Sequence, residues 1–302
     1  MAFTVTSNYA GKAAGFYISA ALNEAKSLDG MTMMENIKYK QNIQRMAGST
    51  LVKDSTCDFT DAGTLALTEK VLTPKNLQIN LDLCSTTLLT SWEADQMKAG
   101  AWNNGDAPVS FSDYVISYFS RIIADGVEGS IWDGAAATAG EFEGFQTGTT
   151  GMFAVDGTVV SSSASAAYSA TNIIANLQTL VADIPATVYG KEDLRIYMNM
   201  KTYRFYISAI STLGYVNAYN MNGVYEPVFE GIKIQPSPGM ADNVMCAAEK
   251  TNLFFGTDLL SSQTEIRLMD MSALDGSNNI RVVAKYSAGV QLGVGSDIVN
   301  QS

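Results

Sequence analysis

The sequence predicts an α+β fold, in which strands and helices are interleaved without a regular βαβ repeat. Two segments carry most of this prediction. Residues 64–83 alternate between apolar and polar side chains, a period of two that is typical of a strand with one dry face. Residues 110–133 carry apolar side chains three or four positions apart, as on the buried stripe of a helix. The second half adds short strand patterns and two further helix patterns.

The N-terminal part predicts one helix and one hairpin tip. Residues 12–28 predict a short helix that ends at Asp29-Gly30. Residues 31–47 contain apolar side chains without a decisive period, so that both strand and helix stay open there. Residues 51–63 are polar and rich in Gly, Asp and Thr, which fits the tip of a long hairpin.

The alternating segment at 64–83 is the most informative feature of the chain. It is extended and precedes the best helix, rather than lying within a compact meander. Such a β arm joined to a long helix favours a protein that completes its packing on its neighbours. The alternating apolar positions before and after Pro74 are Leu65, Leu67, Leu77, Ile79, Leu81 and Leu83.

The middle of the chain predicts a short helix, a long helix and loops. The short helix starts near Leu88, and a loop separates it from the long helix at 110–133. At about 1.5 Å per residue the long helix measures roughly 36 Å. Gly134 is placed to terminate it as the C′ residue. Residues 135–170 are low in complexity and predict loops, with one or two strands near 152–160.

The second half predicts two helices among short strands. The helices cover residues 170–183 and 201–213, and Asn199 is placed as the N-cap of the second. The predicted strands are Leu194–Met198, Val228–Ile234 with a break at Gly231, Val244–Ala248, Leu253–Phe255, Glu265–Met269 and Arg281–Tyr286.

Composition limits the classes of function. Charged residues are only 16% of the chain, against an ordinary share of about 25%, which suits a surface partly covered by subunit contacts. The net charge of −11 argues against a surface that wraps nucleic acid. Residues 1–56 hold six basic and four acidic residues, whereas 101–190 hold nine acidic residues and one basic residue, Arg121. The basic N-terminal segment could therefore dock on an acidic body, or its charges could simply be solvated.

The chain contains no histidine, which removes Ser-His-Asp and Cys-His catalysis and nearly all zinc chemistry. We therefore expect no enzyme, no cofactor and no metal. The three cysteines, Cys57, Cys84 and Cys246, form no CxxC pair, and this favours a reducing cytoplasm. Neither a signal peptide nor a membrane span is expected from the apolar runs.

Three motifs have a chemical interpretation and a structural one. Glu141 and Glu143 could form the carboxylate pair of a glycosidase, but they lie in a loop of small residues without an aromatic wall. The glycines from 289 to 295 precede no helix, which predicts a turn and a strand end rather than a phosphate cradle. The aromatic residues between 197 and 229 could stack on bases or sugars, but their helical spacing favours packing in the core and at interfaces.

The order of elements resembles the major capsid proteins of tailed bacteriophages, the Hong Kong 97-like fold. Three local motifs support the resemblance. Ile196-Tyr-Met-Asn-Met-Lys-Thr-Tyr203 is similar to the strand-to-helix entry of that family, with Met200 in place of its proline. Tyr225 to Met240 is similar to its strand and turn, and Leu253-Phe-Phe-Gly-Thr-Asp258 to its Gly-Asp turn. The resemblance covers nearly the whole chain.

The resemblance implies a division of the chain and a function. It implies an N-terminal arm at 1–34, an extended β arm (E-loop) at 35–85, a peripheral domain at 86–149 with the spine helix at 110–133, an axial domain at 150–262 and return strands at 263–302. The chain would assemble into hexamers and pentamers of an icosahedral head that encloses double-stranded DNA. The arm residues expected to contact another subunit are Leu65, Leu67, Val71, Leu77, Ile79 and Leu81.

The implied partners are other copies of the chain, packaged DNA bound without sequence specificity, and portal, scaffold or decoration proteins, with no membrane. Because the chain starts at Met1 without a long leading domain, a separate scaffold is implied. The location would be the virion, after assembly in the host cytoplasm. Two rivals remain, namely an encapsulin-like nanocompartment shell that holds enzyme cargo and a glycosidase that uses Glu141 and Glu143.

Overall fold

The computed structural model describes residues 6–10, 25–49, 52–55, 57–58, 63–84, 109–164, 167–212, 227–258, 265–271, 276–277 and 279–302. Within these ranges the helices are α1 Val109–Asp133, α2 Met152–Asp156, α3 Ile173–Ala182 and α4 Met200–Thr212. The first seven strands are β1 Thr6–Ala10, β2 Thr32–Met34, β3 Gln41–Ser49, β4 Thr64–Leu72, β5 Lys75–Cys84, β6 Val160–Ser162 and β7 Leu194–Met198. The others are β8 Val228–Phe229, β9 Ile232–Pro236, β10 Met245–Glu249, β11 Leu253–Thr257, β12 Glu265–Asp270, β13 Asn279–Leu292 and β14 Val299–Gln301.

Helix α1 confirms the long helix, and it begins one residue before the predicted start. Its buried stripe consists of Phe119, Ile123, Val127, Ile131 and Trp132. Gly134 follows its last turn, where an added Cβ would lie 2.4 Å from the carbonyl oxygen of Phe142. Glycine is therefore required there by the close approach of another segment.

The first sheet has the order β1-β12-β13-β11-β2, and β5 also pairs with β13. The fourteen-residue strand β13 is its centre. Helix α1, the sheet and the 3-10 helix Lys26–Gly30 enclose one cluster of buried apolar side chains, which we call the first core. Its largest fully buried members are Trp132, Tyr197, Phe145 and Phe255.

The second sheet has the order β6-β14-β10-β7-β9-β8. Helices α3 and α4 pack on it and enclose the second core, which includes Leu177, Leu180, Ile196 and Tyr206. Helix α4 begins after Asn199, whose Oδ1 accepts a hydrogen bond from the amide of Lys201 at 3.0 Å, so the predicted N-cap is confirmed.

Two strands pair across the boundaries of the expected division. Strand β11 was expected in the axial part at 150–262, but it pairs with β13 and β2 in the first sheet. Strand β14 was expected among the return strands at 263–302, but it pairs with β10 and β6 in the second sheet. An alternating pattern predicts that a segment is a strand, but it does not say which partner strand the segment finds.

Other expectations were wrong or lie outside the described residues. Of the one or two strands expected near 152–160, the structure has β6, which begins at Val160, whereas residues 152–156 form helix α2. Most of the helix expected at 12–28, and all of the one near Leu88, fall outside the described ranges. The end of the former is a 3-10 helix at Lys26–Gly30.

The buried carboxylate of Glu128 connects the N-terminal segment and α1 to a turn of the second sheet. Glu128 of α1 is only 7% exposed. It accepts hydrogen bonds from the amide of Ser27 at 3.0 Å, from the hydroxyl of Ser27, and from the amide of Gly239 at 3.3 Å. Trp132 Nε1 donates to the Ser27 hydroxyl at 2.7 Å. Glu128 thus joins the N-terminal segment, α1 and the turn between β9 and β10.

Candidate assembly surface

The most exposed element of the described chain is the antiparallel hairpin formed by β3 and β4, which we call the hairpin. Its register runs from Gln41 opposite Leu72 to Ser49 opposite Thr64. No third strand joins it within the described residues. All side chains of β4 from Thr64 to Glu69 are exposed. A two-stranded ribbon that carries no covering layer is marginal by itself, which indicates a partner.

One face of the hairpin is apolar. Residues directly opposite each other in an antiparallel pair point to the same face. Met46 lies opposite Leu67, and Gly48 lies opposite Leu65. The exposed fractions of Met46, Leu67 and Leu65 are 65%, 60% and 59%. Together with Val71, which is 40% exposed, they form what we call the apolar face, although Glu69 and its opposite residue Gln44 lie between Leu67 and Val71 on this side. Exposed apolar side chains that group at the outer end of a hairpin, as Met46, Leu65 and Leu67 do, are typical of interaction sites.

The root of the hairpin is held by an apolar contact. Leu72 is fully buried against Gly256 of β11. A Cβ at Gly256 would lie 2.4 Å from Leu72 Cδ2 and 2.8 Å from Ile37 Cδ1. The amide of Ile37 donates to the carbonyl of Thr257 at 3.2 Å. Glycine at position 256 therefore lets both ends of the hairpin approach the body.

An ion pair also holds the root. Lys70 Nζ donates to Asp156 Oδ2 at the end of α2. Burial alone would raise the pKa of Asp156, but hydrogen bonds from Lys70 and Thr158 and the charge of Lys70 outweigh it and hold that pKa below its ordinary value. The carboxylate is therefore stabilised in its ionised form.

The lysine beyond Pro74 anchors the start of β5. Lys75 Nζ donates to the carbonyl oxygens of Glu141 at 2.6 Å, Ala136 at 2.8 Å and Thr138 at 3.5 Å. The segment between β4 and β5 is thus attached to the body by Lys70 on one side and by Lys75 on the other.

The structure separates the six residues expected to contact another subunit. Leu65, Leu67 and Val71 lie together on the exposed hairpin, as expected from the alternation. Leu77 is 6% exposed in the first core of its own chain, and Ile79 packs against that core, so their own chain already covers much of these two side chains. Leu81 is 39% exposed. The physical reason is that β5 pairs with β13 along ten residues and lies in the first sheet.

Several residues of this surface were missed by the sequence analysis. Met46 completes the apolar face, but residues 31–47 had no decisive period. Lys70 and Asp156 are 86 positions apart, and no spacing in the sequence links them. The only signal was that Lys70 interrupts an otherwise uncharged side of β4 next to an apolar root.

The carboxylates of the rival enzyme interpretation have structural partners. Glu141 Oε2 accepts from the amide of Ala135, and Glu143 Oε2 accepts from the amide of Ala136, both at 3.0 Å. Both side chains thus satisfy backbone donors just beyond the end of α1. Among the described residues, no group of three or more His, Cys, Asp or Glu side chains could hold a metal ion.

The other two motifs also have structural roles. Tyr197 and Tyr206 are buried in the first and second cores, and Phe229 packs against the second, whereas Tyr215 and Tyr219 lie outside the described residues. The glycines from 289 to 295 lie at the end of β13 and in the following turn, as predicted. In the described part of the chain, no helix combines the length and apolarity that crossing a membrane would need.

Comparison with solved structures shows the fold. The chain is similar to the capsid chain of an empty GTA particle, with a TM-score of 0.59 and 10% identity over 92% of this chain and 89% of that chain. It is similar to a chain of the satellite phage P4 procapsid, with a TM-score of 0.57 and 8% identity over 94% and 90%. A chain of a virus-like particle from Pyrococcus furiosus gives a TM-score of 0.52 and 8% identity over 97% and 99%. No family model and no curated protein matches the sequence. The chain therefore has the fold of tailed-phage capsid proteins.

Proposed function

We propose that this chain is the major capsid protein of a phage-like head with the Hong Kong 97-like architecture. Copies would form hexamers and pentamers of an icosahedral shell that encloses double-stranded DNA, assembled in the host cytoplasm and carried in the virion. The observation that carries this proposal is an exposed hairpin with an apolar face, on a chain that matches shell-forming chains over nine-tenths of its length. Scaffold, portal or decoration proteins would be its other partners.

We further propose functional names for the parts of the chain. The hairpin within 35–85 would be the extended arm, α1 the spine helix of a peripheral domain built on the first core, and the second core the axial domain. Leu65, Leu67, Val71 and Leu81 keep enough exposed surface to contact another copy. Met46 joins this set because it lies opposite Leu67 on the same face.

The proposal is tested by imaging the purified chain and two variants by negative-stain electron microscopy. We expect closed shells from the wild type. Leu67→Lys places a charge on the apolar face and should abolish the shells. Ala66→Lys is the matched control, because Ala66 is the neighbouring residue on the opposite face of β4. Both substituted residues are exposed, so that both variants should unfold at the wild-type denaturant concentration.

Two results would contradict the proposal. A wild-type chain that stays monomeric at every concentration and salt tested would exclude self-assembly. If Ala66→Lys and Leu67→Lys lost assembly equally, the apolar face would not be the contact surface.

A second candidate function is a nanocompartment shell that encloses enzyme cargo. This second candidate is supported by the similarity to a chain of the Pyrococcus furiosus virus-like particle, which covers 99% of that chain. The contents of particles from the native source separate the two candidates, because a phage head should contain nuclease-protected DNA and a nanocompartment should contain a second protein. Genes for a terminase and portal beside this gene would favour the phage head.

A further inference from the structure

The direction in which the hairpin leaves the body depends on its root. The outer part of β4, from Thr64 to Glu69, is exposed, whereas Leu72 at the inner end is fully buried. A small change of angle at the root would therefore move the apolar face by a large distance.

The apolar contact of Leu72 does not by itself define an angle. Hydrophobic burial is non-directional and depends on the area removed from water. Leu72 rests on a glycine, Gly256, and its neighbour there is the flexible side chain of Ile37. This contact fixes the position of the root but not the direction of the hairpin, so the direction depends on further points of attachment.

Lys70 supplies a further, charged point of attachment, beside the hydrogen bond that Gln291 Nε2 donates to the carbonyl oxygen of Val71 at 3.0 Å. Lys70 lies two residues before Leu72 in β4, so that both side chains are on the same face of the strand. Its partner, Asp156, is held in place by the amide of Thr158 at 3.3 Å and by the Thr158 hydroxyl. The same carboxylate lies against Gly295, where an added Cβ would be 1.8 Å from Asp156 Oδ1. The carboxylate therefore has little room to move on the body.

This ion pair is more enclosed than three other ion pairs of the described part of the chain. The side chains of Lys70 and Asp156 are 28% and 11% exposed. In the pair Lys191–Glu249 the side chains are 47% and 12% exposed. In the pairs Lys201–Asp242 and Arg281–Asp82, every side chain is at least 47% exposed. Enclosure reduces screening by solvent, so the Lys70 pair is the one best suited to define a geometry.

We propose that Lys70 and Asp156 are positioning residues that fix the direction of the hairpin relative to the body. The consequence for assembly, that this direction controls shell size, rests on the proposed function. A hairpin held at one angle presents its apolar face to the same place on every neighbour, which restricts the curvature of the shell.

The direction can be measured in single chains by the distance between two spin labels. One label is attached at Gln44→Cys, an exposed position of β3, in a Cys57→Ser background. The other is attached to the exposed Cys84 at the end of β5 in the first sheet. Cys246 is fully buried, and burial raises the pKa of its thiol, so it should not react with the label.

Four substitutions are compared in this labelled chain. Lys70→Met and Asp156→Asn remove the ion pair, Lys70→Arg retains it, and Lys201→Met removes an exposed pair elsewhere as the control. Loss of one charge-assisted hydrogen bond should raise the population outside the main distance by about tenfold. The double variant Lys70→Met with Asp156→Asn should match the single variants, because both remove the same interaction. Lys70→Arg and Lys201→Met should give the wild-type distribution.

Unchanged distances in both Lys70→Met and Asp156→Asn would overturn the proposal. So would equal changes in Lys201→Met, since these would reflect general loosening. A single cooperative thermal transition that begins above the temperature of the distance measurement shows that the variants are folded. If the distances change but shell diameters in micrographs do not, the consequence for assembly is overturned. If the wild type forms no shells, the proposed function fails, and the distances alone decide the role of the pair.

Discussion

Glu128 is the residue at which the N-terminal segment, α1 and the second sheet meet. Removal of its side chain would leave the buried amide of Ser27 and the half-buried amide of Gly239 without an acceptor. We expect Glu128→Ala to lower the free energy of unfolding by about 2–4 kcal/mol, measured by urea denaturation. Asp125→Ala is the control, because Asp125 is exposed on the same helix; its effect should stay within about 0.5 kcal/mol. Equal effects of the two substitutions would contradict the role of Glu128.

Asp156 gives stability a dependence on pH whose sign follows from its environment. Its pKa in the folded chain lies below the ordinary value of 3.8. The ionised carboxylate therefore stabilises the folded chain above that value, and the contribution is lost as the pH falls through the lowered pKa. The difference in unfolding free energy between wild type and Asp156→Asn should be constant near neutral pH and shrink below about pH 4. A difference that grows with acid would contradict this assignment.

These residue-scale interactions could not be predicted from the sequence. Glu128 and its partner Ser27 are 101 positions apart, and Lys70 and Asp156 are 86 apart. A hydrogen bond between residues that are far apart in the chain produces no periodic pattern in the sequence. Asn199 shows the opposite case, because an N-cap acts on amides only two residues away.

At the scale of elements, β4 and β5 show how one pattern leads to two outcomes. Leu67 is exposed on the hairpin, whereas Leu77 is buried in the first core. We expect Leu77→Ala to lower the unfolding free energy by about 2–4 kcal/mol and Leu67→Ala by less than about 1 kcal/mol. Denaturation of the unassembled chain measures both. Similar losses in the two variants would show that the hairpin packs on the body in solution.

The elements themselves were predicted to the extent that their signals are local. The helical spacing located α1 within one residue of its observed start, because a period of 3.6 is set by neighbouring turns. The alternation in 64–83 identified both strands. It could not assign β5 to the body, because the partner strand β13 lies about two hundred residues later. The packing of Leu77 and Ile79 on the first core of their own chain has this origin.

For the whole molecule, the proposed shell should resist salt. At about 1 M salt the Debye length is about 3 Å, so exposed ionic contacts are largely screened. Burial of the apolar face is not screened, and it contributes about 25 cal/mol per Å² of area removed from water. Shells should therefore keep their diameter and mass in about 1 M sodium chloride, measured by light scattering. Dissociation by salt at neutral pH would show instead that ionic contacts hold the subunits together.

The path of the chain near its C-terminal end has a thermodynamic consequence. Strand β13 is the centre of the first sheet, and β14 lies between β10 and β6 in the second, yet residues 293–298 are all that separate them. Because this connection is short, unfolding of one sheet would displace a strand that is hydrogen-bonded within the other sheet. The unassembled chain should therefore show a single calorimetric peak, with equal van't Hoff and calorimetric enthalpies. Two resolved peaks would mean that the two halves lose their order independently.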